Sequence, residues 1–344
     1  MRSIRKTSLR PAALAGSLLF VLAACSITAP SEEASGGGET GAGGDDTVTI
    51  GLITKTDSNP FFVTMREEAQ TAADEAGAEL IALAGAFDGD NEGQVAAIEN
   101  LVSQGVDGIM ITPNSSSGIL AAIEQARSAG VLVVALDTAT DPEDAVDATF
   151  ATDNFAAGVA QGTWVRAALG DEEPQLIMLD GTPGGTVDTF RHDGFLEGFG
   201  IEEGDPAIVG AEDTNGDQTR AQTAMENLLQ RAPDTNAVYT INEPAAAGGY
   251  AAIQARGLED QITIGSVDGS CTGVADVAAG VIGATVMQFP ARMVQQGTEA
   301  IVQFVEDGTR PSGFVDTGSV LITDQPVDGV DSENTAWGAE NCWG

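Results

Sequence analysis

From position 47 onward the chain repeats one pattern: a short apolar run, a polar turn, then an amphipathic stretch closed by glycine. Strands are predicted at 48–53, 79–83, 108–111 and 132–136. Helices are predicted at 61–76, 94–104 and 116–129, followed by Gly77, Gly105 and Gly130. Glycine suits a helix end because it takes up a left-handed backbone without a Cβ clash. Further on, strands are predicted at 175–179, 207–209, 237–240, 262–267 and 284–288, and helices at 154–169, 190–198, 217–231, 245–255, 273–279 and 290–305. Uniformly apolar strands alternating with helices imply parallel strands covered on both faces. The expected fold class is therefore α/β, with two doubly wound parallel-sheet lobes. No linker separates the halves, which points to a hinge made of several chain crossings.

The first 46 residues do not follow this pattern. Arg2, Arg5, Lys6 and Arg10 form a positive head, and an apolar run rich in Leu and Ala follows at 12–24. It is short for a spanning helix and reads as a secretory signal. Its end, Leu22-Ala23-Ala24-Cys25, resembles the lipobox of bacterial lipoproteins, which implies cleavage before Cys25 and lipidation of that cysteine. Residues 26–46 are mostly Gly, Ser, Glu, Thr and Asp, a flexible spacer with a reach of roughly 25 Å. Its glycines are no phosphate loop, since no strand precedes them and no Lys-Ser/Thr follows.

Charge and cysteine usage narrow the class. The chain of 344 residues carries 14 basic and 52 acidic residues, a net −38. Without the amino-terminal segment the balance is more negative still, and Lys55 is the only lysine left. Such a surface repels phosphate backbones and anionic membranes, so nucleic acid is excluded as a partner and the membrane is reached only through a lipid anchor. One histidine and three cysteines leave little for a zinc site or a histidine-dependent triad. With Cys25 given to lipid, Cys271 and Cys342 remain as a pair in an oxidising compartment, and a disulfide is expected; two buried free thiols are the alternative.

In open parallel sheets, ligands bind beyond the carboxyl ends of the strands. There the chain places Thr56, Asp57, Ser58, Asn59, Pro60, Phe61 and Phe62 after the first strand, and Asp88 near the second. Thr112 and Asn114 follow the third, and Asp137 the fourth. The second half contributes Asn215 or Asp213, then Thr240, Asn242 and Glu243, then Asp268 and Gln288. Carboxylates and amides suit vicinal hydroxyls, which both donate and accept, and aromatic faces suit the C–H face of a sugar ring. An anionic ligand would need more cations than Arg191. Each Asp or Asn taken singly has an alternative role as a turn or N-cap residue, and Phe61 or Phe62 as core.

Enzyme and metal readings find less support. His192 sits in Phe-Arg-His-Asp-Gly-Phe and reads as structural, and no Gly-x-Ser-x-Gly elbow is present. Residues 213–217 have part of a calcium loop, but the glycine is displaced and the closing Glu is missing. No metal or cofactor is expected. Asn114-Ser115-Ser116 matches a glycosylation triplet, discounted beside a bacterial-type lipobox.

From residue 47 to its end the chain resembles periplasmic-binding-protein-like sugar receptors of ABC importers, of the ribose/fructose type. Asn59-Pro60-Phe61-Phe62 is similar to the first-strand sugar motif of that family. Leu136-Asp137, Thr152-Asp153-Asn154, Asn242-Glu243, Val267-Asp268-Gly269 and Gln288-Phe289-Pro290 are similar to its other signatures. The runs 191–201 and 240–248 and the ending Cys342-Trp343-Gly344 resemble the fructose-binding branch. The resemblance implies a type I fold, with lobes at 47–151 plus 290–318 and at 152–289 plus 319–344.

It also implies site roles. Phe61 and Phe62 would face the sugar ring, with Asn59 and Asp137 on its hydroxyls; Arg191, Asn242, Asp268 and Gln288 would close from the second lobe. Asp88, Asp188 and Asn215 complete the expected site. The chain departs from ribose receptors at Thr138 and Thr189, where they carry arginine, and lacks an aromatic near Asn215. The expectation is a monomeric, lipid-anchored receptor that binds a monosaccharide, fructose first, and presents it to an ABC permease. A sugar sensor for a signalling partner, a receptor for another pentose, hexose or polyol, a sugar-responsive repressor and a sugar-processing enzyme are the rivals.

Overall fold

A computed structural model of the chain describes residues 47–344. The first lobe is built from β1 (Thr49–Thr54), α1 (Pro60–Ala76), β2 (Glu79–Ala84), α2 (Asn91–Gln104), β3 (Gly108–Ile111), α3 (Leu120–Ser128), β4 (Leu132–Leu136) and β5 (Ala148–Ala151). The second follows with α4 (Asn154–Ala168), β6 (Leu176–Asp180), α5 (Thr186–Phe199), β7 (Ile208–Asp213), α6 (Gln218–Arg231), β8 (Ala237–Thr240), α7 (Glu243–Gln254), β9 (Thr263–Asp268), α8 (Cys271–Ala279) and β10 (Ala284–Gln288). The chain ends in α9 (Pro290–Asp307), β11 (Gly313–Asp316), β12 (Ser319–Ile322), β13 (Ser332–Glu333) and α10 (Thr335–Asn341).

One sheet runs β11-β5-β4-β3-β1-β2 and the other β13-β12-β10-β9-β8-β6-β7. All pairs are parallel except β10 with β12. In each lobe the second strand lies outside the first and the third pairs on the other side, the doubly wound order that opens a crevice at the strand carboxyl ends. The chain passes between the lobes after β5, between β10 and α9, and between β11 and β12. α9 returns to the first lobe and packs on α1, β3, β4 and β5.

Residue alternation along each strand supplies both faces of the first sheet. Ile50 and Leu52 pack with Phe61, Met65 and Ile301 on one side. Ile53 packs with Ile98, Leu101 and Ile123 on the other. In the second lobe Trp164, Phe195 and Tyr239 belong to one continuous core. Helix starts are set by short polar caps: the side chains of Asn59, Asp153, Asp217, Asn242 and Ser270 each accept a hydrogen bond from the first turn of a helix.

Several elements differ from the sequence expectation. The helix expected at 116–129 begins only at Leu120. Ser115 accepts from the Gly118 amide, and Ser116 donates to the Ala139 carbonyl, so the serines hold a turn in place of the first helical turn. α5 starts at Thr186, earlier than the expected 190, and α7 at Glu243 because Asn242 caps it. β5, β11, β12, β13 and α10 were not anticipated; their runs are short and carry little periodic signal.

α4 and α5 touch backbone to backbone. A Cβ on Gly158 or Gly162 of α4 would overlap the carbonyl oxygens of Arg191 and Phe195, and one on Gly194 or Gly198 of α5 those of Phe155 and Val159. This reciprocal contact seats α5, and with it Arg191, against the second sheet. Cys271 and Cys342 are joined in a disulfide with a sequence separation of 71. Closing such a loop stabilises by about 4 kcal/mol on the chain-entropy account. Gly194→Ala is expected to force the two helices apart and cost about 2–3 kcal/mol of unfolding free energy, as an overpacked helix contact does; urea unfolding measures it, and an unchanged midpoint would refute the tight contact.

Candidate functional site

The carboxyl ends of both sheets open onto one small cavity between the lobes, of about 50 Å³. Asn59, Phe61, Phe62, Asp88 and Asp137 line it from the first lobe; Asp188, Arg191, Asn215, Asn242, Asp268 and Gln288 line it from the second. The eleven residues expected to form the site therefore border the same space, whereas Thr56, Asp57, Ser58, Pro60, Thr112, Asn114, Asp213, Thr240 and Glu243, also singled out at strand ends, do not. Lys55, Gly181, Thr182, Gly185, Val187, Gly216 and Ile241 border it too and were not anticipated as site residues.

The cap and site roles turn out to be compatible in one residue. Asn59 accepts from the Phe61 amide through Oδ1 at 3.0 Å, which leaves its Nδ2 for the cavity. Asn242 accepts from the Ala245 amide at 3.0 Å and donates through Nδ2 to the Gly216 carbonyl at 3.2 Å, so its freedom to meet a ligand is smaller than expected. Asp88 and Asn215 differ more. The Thr182 hydroxyl donates to the Asp88 carboxylate, and Asn215 Nδ2 donates to the Asp88 carbonyl at 3.0 Å. These two residues clasp the lobes together at the rim. Ser116 and Thr186 form a second clasp, through the Thr186 amide at 2.9 Å. Thr186 also donates through its hydroxyl to the Ala139 carbonyl at 2.9 Å.

A hydrogen-bond chain organises the second-lobe wall. Arg191 donates through Nε to Asn154 Oδ1 at 2.8 Å, through Nη1 to the Ile241 carbonyl at 2.9 Å and through Nη2 to Gln288 Oε1 at 2.9 Å. Gln288 in turn donates through Nε2 to Asp268 Oδ1 at 3.0 Å, and the Glu243 amide donates to Asp268 Oδ2 at 3.2 Å. Burial pushes the Asp268 carboxyl well above its usual range and neighbouring Glu243 adds to this, while Arg191 opposes it. Burial likewise raises Glu243 to about 7, although Ser270, Thr285 and the Gly269 and Ser270 amides all donate to it. Asp188 is raised to about 6, first by burial, against the amide of Gly181 that donates to it at 2.6 Å.

Backbone strain is concentrated here. Asp137 (φ 62°), Asn215 (φ 54°) and Asp268 (φ 150°) are the non-glycine residues with positive φ among the described residues, and all three line the cavity. Such conformations persist where the surrounding structure over-determines them, typically at ligand sites. The aromatic wall is also braced. Phe61 meets Phe62 edge-on at 5.4 Å and Trp343 edge-on at 5.5 Å, and the indole Nε1 of Trp343 donates to the Asp268 carbonyl at 3.0 Å. The tail residue beside the disulfide thus ties Phe61 of one lobe to Asp268 of the other. The sequence marked Trp343 only as part of an ending that resembles a family motif, with no role at the site.

His192 points away from catalysis. Its Nδ1 lies 2.8 Å from Asp180 and its Nε2 3.0 Å from Glu203. Among the described residues no group of three or more His, Cys, Asp or Glu side chains is placed to hold a metal ion. What the cavity offers is an enclosed set of hydrogen-bonding carboxylates, amides and cations beside two phenyl rings, suited to a small polyhydroxylated guest.

Two doubly wound lobes clasped over such a cavity define a two-lobed ligand-binding protein. Residues 50–309 match the periplasmic binding protein domain. The chain is 32% identical over 282 residues to the ribose import binding protein of Bacillus subtilis (strain 168), covering 82% of this chain and 88% of that one. It is 27% identical to the D-allose-binding periplasmic protein of Escherichia coli (strain K12), covering 79% and 91%. A solved ABC transporter periplasmic solute binding protein from Actinobacillus succinogenes 130z, with bound D-allose, superposes with a TM-score of 0.74 at 26% identity, covering 80% of this chain and 98% of that one. The chain belongs to the periplasmic binding protein family; it is a binding protein and not an enzyme.

The pairing of His192 with Asp180 sets a pH dependence. The hydrogen bond to Asp180 is the main cause that raises His192 from 6.5 to about 9. A raised histidine contributes stability that is complete below its unfolded value and is lost as pH climbs through the folded one. The advantage of the wild type over His192→Gln in urea unfolding is expected to be full below about pH 6.5, to shrink across about 6.5–9 and to be gone above it. A constant difference over that range would refute the assignment.

Proposed function

We propose that this chain is the extracytoplasmic receptor of an ABC sugar importer, taking a monosaccharide into the inter-lobe cavity and presenting the closed form to its permease. The observation that carries this reading is the meeting of Asn59, Asp137 and the phenyl rings of Phe61 and Phe62 with Arg191, Asp268 and Gln288 around one enclosed space. The relatives named for ribose and D-allose support the sugar class. Closure buries polar groups that only a matched pattern of hydroxyls satisfies, and an unsatisfied one costs about 1–3 kcal/mol.

Fructose is the first candidate. Its support is the resemblance of the runs 191–201 and 240–248 and of the ending to the fructose-binding branch, together with Thr138 and Thr189 in place of the arginines of ribose receptors. Thr138 donates to the Asp137 carboxylate at 3.0 Å, a neutral neighbour to that acid. The lipobox at 22–25 supports anchoring through a lipidated Cys25 with residues 26–46 as tether; these positions lie outside the described residues. Among the described residues no helix is long and apolar enough to cross a membrane.

A thermal-shift screen over fructose, ribose, allose, galactose and myo-inositol is expected to raise the melting temperature for one of them by on the order of 5 °C at a hundred-fold excess over Kd. No response to any pentose, hexose or polyol would discard the reading. For the sugar that responds, Asp268→Ala and Asp137→Ala are each expected to weaken binding by roughly 10- to 100-fold or more while the ligand-free protein stays folded. Calorimetric titration measures this, and wild-type affinity in both variants would discard the site assignment.

A further inference from the structure

The last three residues connect the lobes in addition to the three chain crossings. Their backbone belongs to the second lobe. The Cys271 amide donates to the Trp343 carbonyl at 2.9 Å, Ser270 and Trp343 form a parallel bridge, and Cys342 is bonded to Cys271. The indole of Trp343 sides with the first lobe. It meets Phe61 edge-on at 5.5 Å and packs against the apolar cluster that holds Phe62 and Met65. Beyond it, a Cβ on Gly344 would sit 3.6 Å from the Thr64 hydroxyl of α1. The tail is a strap across the two lobes, tied covalently to the second and by packing alone to the first.

Trp343 does not line the cavity, yet it holds two residues that do. Its Nε1 donates to the Asp268 carbonyl at 3.0 Å. Asp268 has φ 150° and is followed by Gly269 at φ 76°, where a Cβ would overlap Met287. The amides of this turn are taken by the Glu243 carboxylate, which accepts from Gly269 at 2.8 Å and from Ser270 at 3.2 Å. The indole takes the carbonyl. A turn in a disfavoured conformation depends on such partners, and this one carries the acid of the cavity wall. Widening the cleft carries Phe61 away from Asp268, and the indole cannot stay with both. It therefore favours the closed arrangement, the one that retains a guest.

We propose that Trp343 is a positioning residue that sets, through Asp268 and Phe61, how tightly the closed form retains its sugar, and that the Cys271–Cys342 bridge makes this affinity redox-dependent. Neither cysteine is fully buried. An external dithiol breaks the S–S bond by giving the two sulfurs two electrons and two protons, and closes into its own disulfide. The tail then has no covalent tie, and the indole loses its fixed seat between the lobes. The inference rests on the receptor reading above and adds to it a residue outside the cavity and a control on its affinity.

The test takes whichever of fructose, ribose, allose, galactose and myo-inositol responds in the thermal-shift screen. It is titrated by calorimetry into the wild type, Trp343→Ala and Trp343→Phe, each with and without dithiothreitol, with circular dichroism as the check that each form is folded. Reduction is expected to weaken binding to the wild type roughly 3- to 10-fold, and Trp343→Ala to weaken it roughly 10-fold. Reduction is expected to cost Trp343→Ala nothing further, because the bridge acts through the indole; a merely structural bridge would cost both proteins the same factor. Phe restores a ring against Phe61 without the N–H donor, so Trp343→Phe is expected to fall between the two. Wild-type affinity in Trp343→Ala, or equal losses on reduction in both proteins, overturns the proposal and leaves the receptor reading standing. No response of the wild type to any pentose, hexose or polyol overturns the receptor reading, and this inference with it. Should Trp343→Ala or the reduced protein fail to fold, oxidised Trp343→Phe decides. A roughly 2- to 5-fold loss carried by faster dissociation is expected, and wild-type affinity overturns the proposal.

Discussion

Polar groups at the ends of buried strands must find partners, and in this fold two sets of them face each other across a closed space. In each sheet the strand interiors are satisfied by their ladders and helices. At the strand ends and in the turns that follow them stand Lys55, Asn59, Asp137, Asn242 and Asp268, whose side chains have no such default partner. Some are taken up locally, as when Asn59 and Asn242 cap helices. Others are held in strained backbone that aims them inward, as at Asp137 and Asp268. The residue of unsatisfied hydrogen-bonding capacity is what a ligand meets, so cap geometry, strain and recognition are parts of one constraint.

The supporting shell keeps that capacity in register. Arg191 keeps this wall together only while its guanidinium stays within hydrogen-bond reach of Gln288 and Asn154, and its helix is seated by four glycines that let α5 lie directly on α4. A conventional helix contact, with side chains between the two axes, would move the guanidinium outward by more than a hydrogen bond tolerates. On the far wall the carboxyl-terminal tail has the same function. The disulfide fixes Cys342 beside Cys271, and the next residue reaches from the Asp268 turn to the edge of Phe61. Aromatic wall and acid are thereby positioned by one indole.

Charge deepens the picture. The chain as a whole is strongly acidic, and four carboxylates border the cavity. Burial holds Asp188 and Asp268 above their usual range, so the cavity is less negative than its inventory of residues implies. The two cations are divided between its walls, Arg191 in a hydrogen-bond chain on the second lobe and Lys55 on the first.

Much of the architecture was legible along the chain. The run 132–136 is apolar at every position, as strands covered on both faces require, and glycine after several of the amphipathic stretches marked where helices stop. The doubly wound rule then located the site at strand ends before any contact was known, because that topology leaves a crevice only there. Other features had no local signal. The clasp of Asp88 with Thr182 and Asn215 joins residues about a hundred positions apart and exists only once the lobes meet. That Lys55 is buried beside the cavity, and that the disulfide brings Trp343 to Phe61, likewise left no local mark in the chain. Periodicity and turn chemistry are properties of neighbours in sequence, so the chain alone determined its elements and where their polar ends fall. Which of those ends are satisfied by each other, and which are left facing the cavity, depends on distances between segments remote in sequence, and that only the tertiary structure decided.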